Sequence, residues 1–256
     1  MSEDARIVKD AADTDGLIAV SRLLAASRRT VVLSGAGCST ESGIPDYRGP
    51  DGEWKRRQPV RYGDFIRKDA TRQRYWARSF TGWPAFRQSR PNGAHAVLAR
   101  WEAAGRVHHT ITQNVDELHQ SAGSERVVDL HGRLGTVRCL DCERRTARDL
   151  LQERMHALNP GWEDVTARAA PDGDADLEGD RIATFRVPDC ADCGGMLKPD
   201  VVFFGESVPP DRVTFAMDRV AEADLLLVVG SSLMVWSGYR FAKAAAEAGT
   251  PVAILN

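Results

Sequence analysis

Short apolar runs alternate along the chain with segments of helical periodicity. In DGLIAVSRLLAAS the apolar residues recur at helical spacing, and the buried-strand pattern TVVLS follows at residues 30–34. Further strands are predicted at residues 108–114, 127–132, 201–206, 224–232 and 251–256. Helices between them are predicted in AHAVLARWEAAG and in PPDRVTFAMDRVAEA, which has Pro209 and Pro210 near its start.

This alternation predicts the fold class. Most of the strands are apolar on both faces, as strands covered by helices on each side are. The pattern is typical of an α/β protein with a doubly wound, parallel, Rossmann-like sheet, which binds ligands outside the carboxyl ends of its strands. Glycine and polar residues gather at four of those ends, in Gly35-Ala36-Gly37, Gln113-Asn114-Val115-Asp116, His131-Gly132 and Gly230-Ser231-Ser232. The sequence therefore predicts a ligand crevice there.

Two cysteine pairs interrupt the α/β pattern. Cys139 with Cys142 and Cys190 with Cys193 form two C-x2-C pairs separated by 47 residues. Four thiolates in this spacing predict one tetrahedral zinc ion, and a closed set of four protein ligands predicts a structural role. We expect a small zinc-binding module with an acidic loop at residues 136–197, inserted into a Rossmann-like domain of residues 15–135 and 198–256.

Composition narrows the range of partners. The 256 residues carry 34 Lys and Arg against 36 Asp and Glu, a net charge of -2, so no nucleic-acid partner is expected. The longest apolar runs, such as LLLVV, are far shorter than the roughly 20 residues that cross a bilayer, so no membrane partner is expected. Because MSEDARIVKDAADTDG resembles neither a secretory signal nor a transit peptide, we expect a cytoplasmic monomer with reduced thiols.

The glycine turn after the first strand indicates a phosphate-binding backbone. Glycines at positions 35 and 37 allow the chain to approach a diphosphate closely. The spacing departs from the dehydrogenase fingerprint, because five polar or small residues follow before Gly43 and no acidic residue ends a strand about twenty residues on. A nicotinamide dehydrogenase is therefore disfavoured.

Two further strand ends carry candidate chemistry. His131, beside Gly132, is a candidate general base, although its spacing alone favours a histidine packed against a neighbouring carbonyl. Ser231 and Ser232 offer hydroxyls to an adenosine ribose or phosphate. Asn256 could serve the adenosine in the same way, or it could be a plain turn residue.

Three groups of motifs resemble the sirtuins, which are NAD-dependent protein deacylases. They are GAGxSTESGIPDYRG, then TQNVDELH followed by LHG, and then the paired cysteines followed by KPDVVFFGE and VVGSSLMV. The resemblance runs from about Leu17 to Asn256. RQRYWARSF, GWPAF and LQERMHALNP are similar to the class II branch, which includes a mitochondrial sirtuin of the lipoamidase and ADP-ribosyltransferase type.

The resemblance implies NAD-dependent deacylation of protein lysines, with release of nicotinamide and O-acyl-ADP-ribose. It implies that the extension after the glycine turn is a loop that closes over NAD. The residues it assigns to NAD are Gly35, Ala36, Gly37, Ser39, Asp46, Tyr47, Arg48, Gln113, Asn114, Val115, Asp116, Gly230, Ser231, Ser232 and Asn256. Asn114 and Asp116 would hold the nicotinamide carboxamide, and His131 with Asn114 would be catalytic, the histidine taking a proton from a ribose hydroxyl.

The resemblance also implies how an acyl-lysine protein or peptide binds. The peptide would add as a strand between Val202-Phe203-Phe204-Gly205 and Met234-Val235-Trp236, with Val202, Phe204, Gly205 and Val235 in contact with it. Sirtuins continue past the strand that ends at Asn256, so we expect either a longer chain or weakened NAD binding. Two alternatives stay open: protein mono-ADP-ribosyl transfer, and a non-catalytic zinc module that senses NAD.

Overall fold

Two β-sheets organise the chain in the computed structural model, which describes residues 14–47, 53, 55, 59–162, 165 and 179–256. The helices are α1 (Thr14–Ala26), α2 (Tyr62–Arg67), α3 (Asp69–Arg87), α4 (Gly93–Ala103), α5 (Leu118–Ser121), α6 (Arg148–Leu158), α7 (Pro210–Ala221) and α8 (Trp236–Glu247), with 3-10 helices at Ala36–Ser42 and Asp180–Thr184. The strands are β1 (Thr30–Ser34), β2 (Val107–Thr112), β3 (Val127–Asp129), β4 (Gly132–Cys139), β5 (Arg145–Ala147), β6 (Leu197–Val201), β7 (Leu225–Val229) and β8 (Val252–Leu255). Among the helices described, none is long and apolar enough to cross a membrane.

The large sheet is parallel and has the order β3-β2-β1-β7-β8. Strands β2 and β3 follow one another on one side of β1, and strands β7 and β8 lie on the other side of β1. Ser34, the last residue of β1, lies opposite Thr112 of β2 and Val229 of β7. The three central strands therefore end level, and their loops meet on one side of the point where the strand order reverses.

Helices cover both faces of this sheet, as predicted. Because successive side chains of a strand point to opposite faces, Val31 and Leu33 pack under α7 and α8, whereas Val32 packs under α1 and α4. The β1 strand is buried along its whole length. The doubly wound α/β class is confirmed. The carboxyl ends of its strands lead into loops.

A second, antiparallel sheet of order β5-β4-β6 carries the cysteine pairs. Its core is shared with α2, α3 and α6, and it includes the fully buried side chains Trp76 and Met155. The buried guanidinium of Arg148 lies 5.6 Å from the ring of Trp76 and 5.0 Å from that of Trp83. Domain boundaries at residues 136 and 197 stay a prediction, and residues 171–178 of the predicted acidic loop lie outside the described residues.

The predicted parallel strand at residues 201–206 is wrong. The strand β6 ends at Val201 and runs antiparallel to β4, in the small sheet. Beyond it, the backbone N–H of Val202 donates to His131 O at 2.8 Å, and that of Phe203 donates to Glu206 Oε2 at 2.8 Å. The first bond continues the pairing beside β4 and the second belongs to a turn, so the segment does not join the parallel sheet, and the apolar Phe203 packs in the core of the small module.

The packing of α8 on the large sheet predicts that the stability of the protein depends strongly on the ring of Phe241. Phe241 is fully buried in that layer, so we expect Phe241→Ala to lower the free energy of unfolding by about 3–5 kcal/mol through lost burial and a residual cavity. Urea unfolding measures the change. Phe215→Ala is the matched control, because Phe215 is 46% exposed on α7 and should cost less than about 1 kcal/mol. Equal losses in the two variants would contradict this packing.

Candidate functional site

The loops that follow β1 and β7 touch each other through their backbones. The N–H of Gly35 donates to Val229 O at 3.0 Å, and the N–H of Gly37 donates to Gly230 O at 2.9 Å. Gly230 has a φ of +58°, and a Cβ at this position would lie 2.2 Å from the backbone nitrogen of Cys38. Only glycine fits there, so backbone groups and not side chains form this part of the crevice.

A cavity of about 1180 Å³ opens above these loops. Typical sites for one small ligand measure about 300–1,000 Å³, so this cavity has room for a large ligand and a second group beside it. Its wall contains every predicted site residue that the structure describes outside the cysteine module: Gly35, Ala36, Gly37, Ser39, Asp46, Tyr47, Gln113, Asn114, Val115, Asp116, His131, Val202, Phe204, Gly205, Gly230, Ser231, Ser232, Val235 and Asn256. Arg48 lies outside the described residues.

A chain of hydrogen bonds orients the polar residues after β2. The side-chain amide of Asn114 donates to Gly35 O and to Ser39 Oγ, each at 3.0 Å. The hydroxyl of Ser39 donates to Asp116 Oδ2 at 2.6 Å, and the other carboxylate oxygen accepts the backbone N–H of Leu118 at 3.0 Å. Asn114 and Asp116 are thereby held against the loop that follows β1.

Gln113 links the same region to the loop after β7. Its side-chain nitrogen donates to Ser231 Oγ at 2.8 Å and contacts Ser34 O at 3.3 Å. Gly238 of α8 makes room for this side chain, since a Cβ there would lie 2.4 Å from the oxygen Oε1 of Gln113. The amide therefore has a fixed place between three elements.

His131 is held at both ring nitrogens. Its Nδ1 lies 2.8 Å from Gln113 O, which can only accept, so Nδ1 carries the proton. Its Nε2 lies 2.8 Å from Ser237 Oγ, whose hydroxyl donates to it. Burial lowers the pKa of His131 to about 4, so the ring is neutral near pH 7 with its lone pair on Nε2, as a general base requires.

Ser237 is a site residue that the sequence did not indicate. It lies in the first turn of α8 and lines the cavity beside His131. Its place opposite the imidazole depends on how α8 packs on the sheet, which residue spacing does not reveal. Lys55 is a second cavity residue that the sequence did not indicate. Its Nζ lies 2.6 Å from Asp46 Oδ1 across the loop.

The polar extension after the glycine turn crosses the cavity towards the small module. The 3-10 helix ends at Gly43, in the left-handed conformation with a φ of 82°. The ring of Tyr47 then lies 6.1 Å from that of Phe204, edge to face. The extension and the segment at Phe204 therefore form one continuous part of the cavity wall.

Two segments face the mouth of the cavity. Residues 202–205 are held on one side by a buried ion pair, in which Lys198 Nζ lies 3.0 Å from Glu206 Oε2. On the other side, Met234 and Trp236 are 61% and 59% exposed. Large apolar side chains exposed beside a cavity are typical of a surface that binds another molecule.

The four paired cysteines converge as predicted. The Sγ atoms of Cys139 and Cys193 lie 3.5 Å apart, and those of Cys142 and Cys190 lie 3.8 Å apart. All four Sγ atoms lie within 4.8 Å of one another. Tetrahedral zinc with Zn–S bonds of about 2.3 Å requires sulfur atoms about 3.8 Å apart, so the four thiols fit the ion with small shifts. Because the set is closed, a zinc ion held by these residues would serve the fold.

This fold and site define a nucleotide-binding α/β protein that carries a structural zinc module. A sequence model of the Sir2 family matches residues 35–237, and the chain belongs to that family. An NAD-dependent protein deacetylase of Xanthomonas campestris pv. campestris is 58% identical over 229 residues, which cover 90% of this chain and 78% of that protein. The mitochondrial NAD-dependent protein lipoamidase sirtuin-4 of Bos taurus is 52% identical over 247 residues, or 95% of this chain and 78% of that protein.

Solved structures show the same similarity. A Sir2 structure with a peptide and NAD+ has a TM-score of 0.72 and 31% identity, covering 92% of this chain and 84% of that chain. A Sir2 structure bound to a propionylated peptide has a TM-score of 0.73 and 31% identity, covering 94% of this chain and 86% of that chain. The sequence resemblance to sirtuins is thus confirmed at the level of family and fold.

The geometry of the four thiols predicts the effect of removing one pair. We expect the double variant Cys139→Ser and Cys142→Ser to lose one equivalent of zinc relative to the wild type, because two hydroxyls replace two thiolate ligands. Elemental analysis after desalting counts the metal, and near-ultraviolet circular dichroism reports the loss of packing in the module. Asp192→Asn keeps all four thiols and is the control. Undiminished zinc in the double variant would contradict the assignment.

The burial of His131 predicts its titration. An imidazole in the unfolded chain binds a proton near pH 6.5, whereas His131 in the folded chain does so only near pH 4. The folded state therefore loses stability as the pH falls from about 6.5 towards about 4. We expect the wild type to lose on the order of 1–2 kcal/mol more than His131→Gln between about pH 7 and about pH 5.

Nuclear magnetic resonance of the histidine rings tests this prediction directly, since the His131 signal is identified by its absence from His131→Gln. Urea unfolding at the two pH values gives the stability difference. A His131 midpoint at or above the ordinary value of 6.5 would contradict the role given to burial.

Proposed function

We propose that the chain is an NAD-dependent protein-lysine deacylase that releases nicotinamide and O-acyl-ADP-ribose. The observation that carries the proposal is the neutral His131, with its Nε2 lone pair, in the wall of the cavity that also contains Asn114 and Asp116. Membership of the Sir2 family supports it, as do relatives named as a deacetylase and a lipoamidase.

The described residues fit NAD. The backbone at Gly35 and Gly230 leaves no space for a Cβ and that at Gly37 leaves little, which is the arrangement that brings amide groups close to a diphosphate. Asn114 and Asp116 would hold the nicotinamide carboxamide, while Ser231, Ser232 and Asn256 would contact the adenosine. When bound, NAD supplies a ribose carbon that accepts the acyl oxygen of the lysine as nicotinamide leaves.

His131 would move the proton that the later step requires. The carbonyl of Gln113 keeps the proton on Nδ1, which leaves Nε2 to accept a proton from a ribose hydroxyl. The hydroxyl of Ser237 donates to Nε2 in this structure, so it has to rotate or be displaced when the ribose arrives. Gln113 and Ser237 are therefore positioning residues.

An acyl-lysine peptide would bind between residues 202–205 and residues 234–236. Both segments line the cavity, and the exposed Met234 and Trp236 offer apolar contacts. Backbone hydrogen bonds from an added strand depend little on side chains, so we expect loose sequence selectivity. The acyl group itself would enter the cavity towards the NAD site.

Three further expectations rest on the sequence alone and belong to the same proposal. They are the division into domains at residues 136 and 197, the monomeric state and the cytoplasmic location. Sedimentation analysis of the purified chain would test the second of these, with a single species of 28.1 kDa expected.

Mass spectrometry of one peptide with different acyl groups on its lysine tests the reaction. With NAD, we expect loss of an acyl group together with new O-acyl-ADP-ribose, and the fastest acyl group names the substrate class. Nicotinamide release with every peptide still acylated would replace the proposal by ADP-ribosyl transfer or NAD hydrolysis.

His131→Ala gives the sharper test. General acid–base groups contribute about 10²–10⁴-fold to rate, so we expect turnover to fall by that factor while the affinity for NAD changes little. The matched control is His156→Gln, because His156 is exposed on α6 and should leave turnover unchanged. Near wild-type turnover in His131→Ala would overturn the mechanism.

A further inference from the structure

A second group of metal-ligating side chains lies apart from the four paired cysteines. Cys38, His95 and His119 are 5%, 0% and 1% exposed, and their ligand atoms all lie within 4.8 Å of one another. The three residues come from the 3-10 helix after β1, from α4 and from α5. We propose that they form a buried metal site for a thiophilic divalent cation such as Zn²⁺, beside the floor of the cavity.

His119 has a buried ring nitrogen that is available as a ligand. The hydroxyl of Ser34 donates to Thr112 Oγ1 at 2.9 Å, so its oxygen accepts the Nε2 proton of His119 at 2.8 Å. Nδ1 of His119 is then unprotonated, and it is fully buried without a hydrogen-bond partner among the described residues. A buried acceptor without a partner costs stability, and a metal ion would satisfy it.

His95 is fixed in a similar way. Its Nδ1 lies 3.0 Å from Asn92 Oδ1, which can only accept and therefore places the proton on Nδ1. The backbone N–H of Asn92 also donates towards the same nitrogen at 3.3 Å, a bond that needs the Nδ1 lone pair and therefore competes with the shorter contact. Metal binding through Nε2 selects the tautomer with the proton on Nδ1. The Asn92 side chain is itself oriented by donating to Cys38 O at 2.8 Å. This leaves Nε2 of His95 facing Cys38 Sγ at 4.0 Å.

Both histidines therefore have the outer contacts of metal ligands. In metal sites, a ligating histidine donates its second ring N–H to an oxygen that fixes the tautomer. Asn92 Oδ1 has this place for His95, and Ser34 Oγ has it for His119. Nε2 of His95 faces Cys38 Sγ, and a ring nitrogen of His119 lies within 4.8 Å of the other two ligand atoms.

The spacing is close to that of a zinc site. Tetrahedral bonds of about 2.3 Å to sulfur and about 2.0–2.1 Å to nitrogen place sulfur and nitrogen about 3.6 Å apart and two nitrogens about 3.3–3.4 Å apart. The Cys38 to His95 separation of 4.0 Å needs a contraction of a few tenths of an ångström, and the other separations, which are at most 4.8 Å, close by side-chain rotation when the ion binds. One thiolate with two imidazoles suits zinc, and binding releases the thiol proton to solvent.

The position of the cluster connects it with the cavity. Gly37 and Ser39, the neighbours of Cys38, line the cavity, so the cluster lies directly behind its wall. Ser39 bonds both Asn114 and Asp116. An ion held by Cys38 would tie the 3-10 helix to α4 and α5, and would thereby fix the floor of the NAD site.

Zinc counting on the full chain with its structural zinc in place tests the proposal. Zn²⁺ is added, the protein is desalted, and bound metal is measured by elemental analysis. We expect two equivalents in the wild type and in the exposed-site control His156→Gln, against one equivalent in Cys38→Val and in His119→Gln. Glutamine can keep the contact with Ser34 while removing the Nδ1 ligand.

Two readouts separate a lost ligand from a lost fold. Thermal unfolding confirms that each variant is folded, and added Zn²⁺ should raise the melting temperature of the wild type more than that of the variants. X-ray absorption of the second equivalent should show one sulfur and two nitrogen neighbours. One equivalent in the wild type, or two in both folded variants, would overturn the site.

Discussion

The backbone contact between the loops after β1 and β7 is the constraint on which the site depends. Gly37 N–H reaches Gly230 O at 2.9 Å because Gly230 adopts a positive φ and has no Cβ, which would lie 2.2 Å from the nitrogen of Cys38. The contact directs Cys38 and Ser39 towards the end of β2, where Ser39 meets Asn114. A level register of the three central strands is what allows this approach, so fold and site share one cause.

His131 joins the sheet to the small module. Its side chain bonds the loop after β2 and the first turn of α8, while its carbonyl accepts the backbone N–H of Val202 at 2.8 Å. The segment proposed to bind the peptide is thus hydrogen-bonded to the proposed base. Burial keeps the ring neutral, so a histidine that packs against a neighbouring carbonyl can also act as a general base. The two interpretations of His131 that the sequence allowed are therefore compatible with each other.

The sequence predicted the elements whose signal is local. Strands apolar on both faces and paired cysteines could be recognised from a few neighbouring residues, and the polar and glycine residues expected at four strand ends do line one cavity. The interpretation of residues 201–206 was wrong because an apolar run does not reveal whether it packs in a sheet or, as Phe203 does, in another core. The helix α3 was not predicted because its buried face mixes polar and small residues, such as Thr71 and Ser79, with Trp76 and Trp83.

The two metal centres differ in how the chain specifies them, and the difference bears on what each can do. Four thiolates from two tight pairs form a closed set that holds a zinc ion firmly and serves the fold. Cys38, His95 and His119 come from three separate elements, so only the folded chain brings them together. One thiolate and two neutral imidazoles leave a divalent ion with a net positive charge and an incomplete coordination sphere. Such a site would exchange its ion more readily than the four-thiolate site does. Because Cys38 is the neighbour of Ser39, gain or loss of that ion would act on the floor of the cavity.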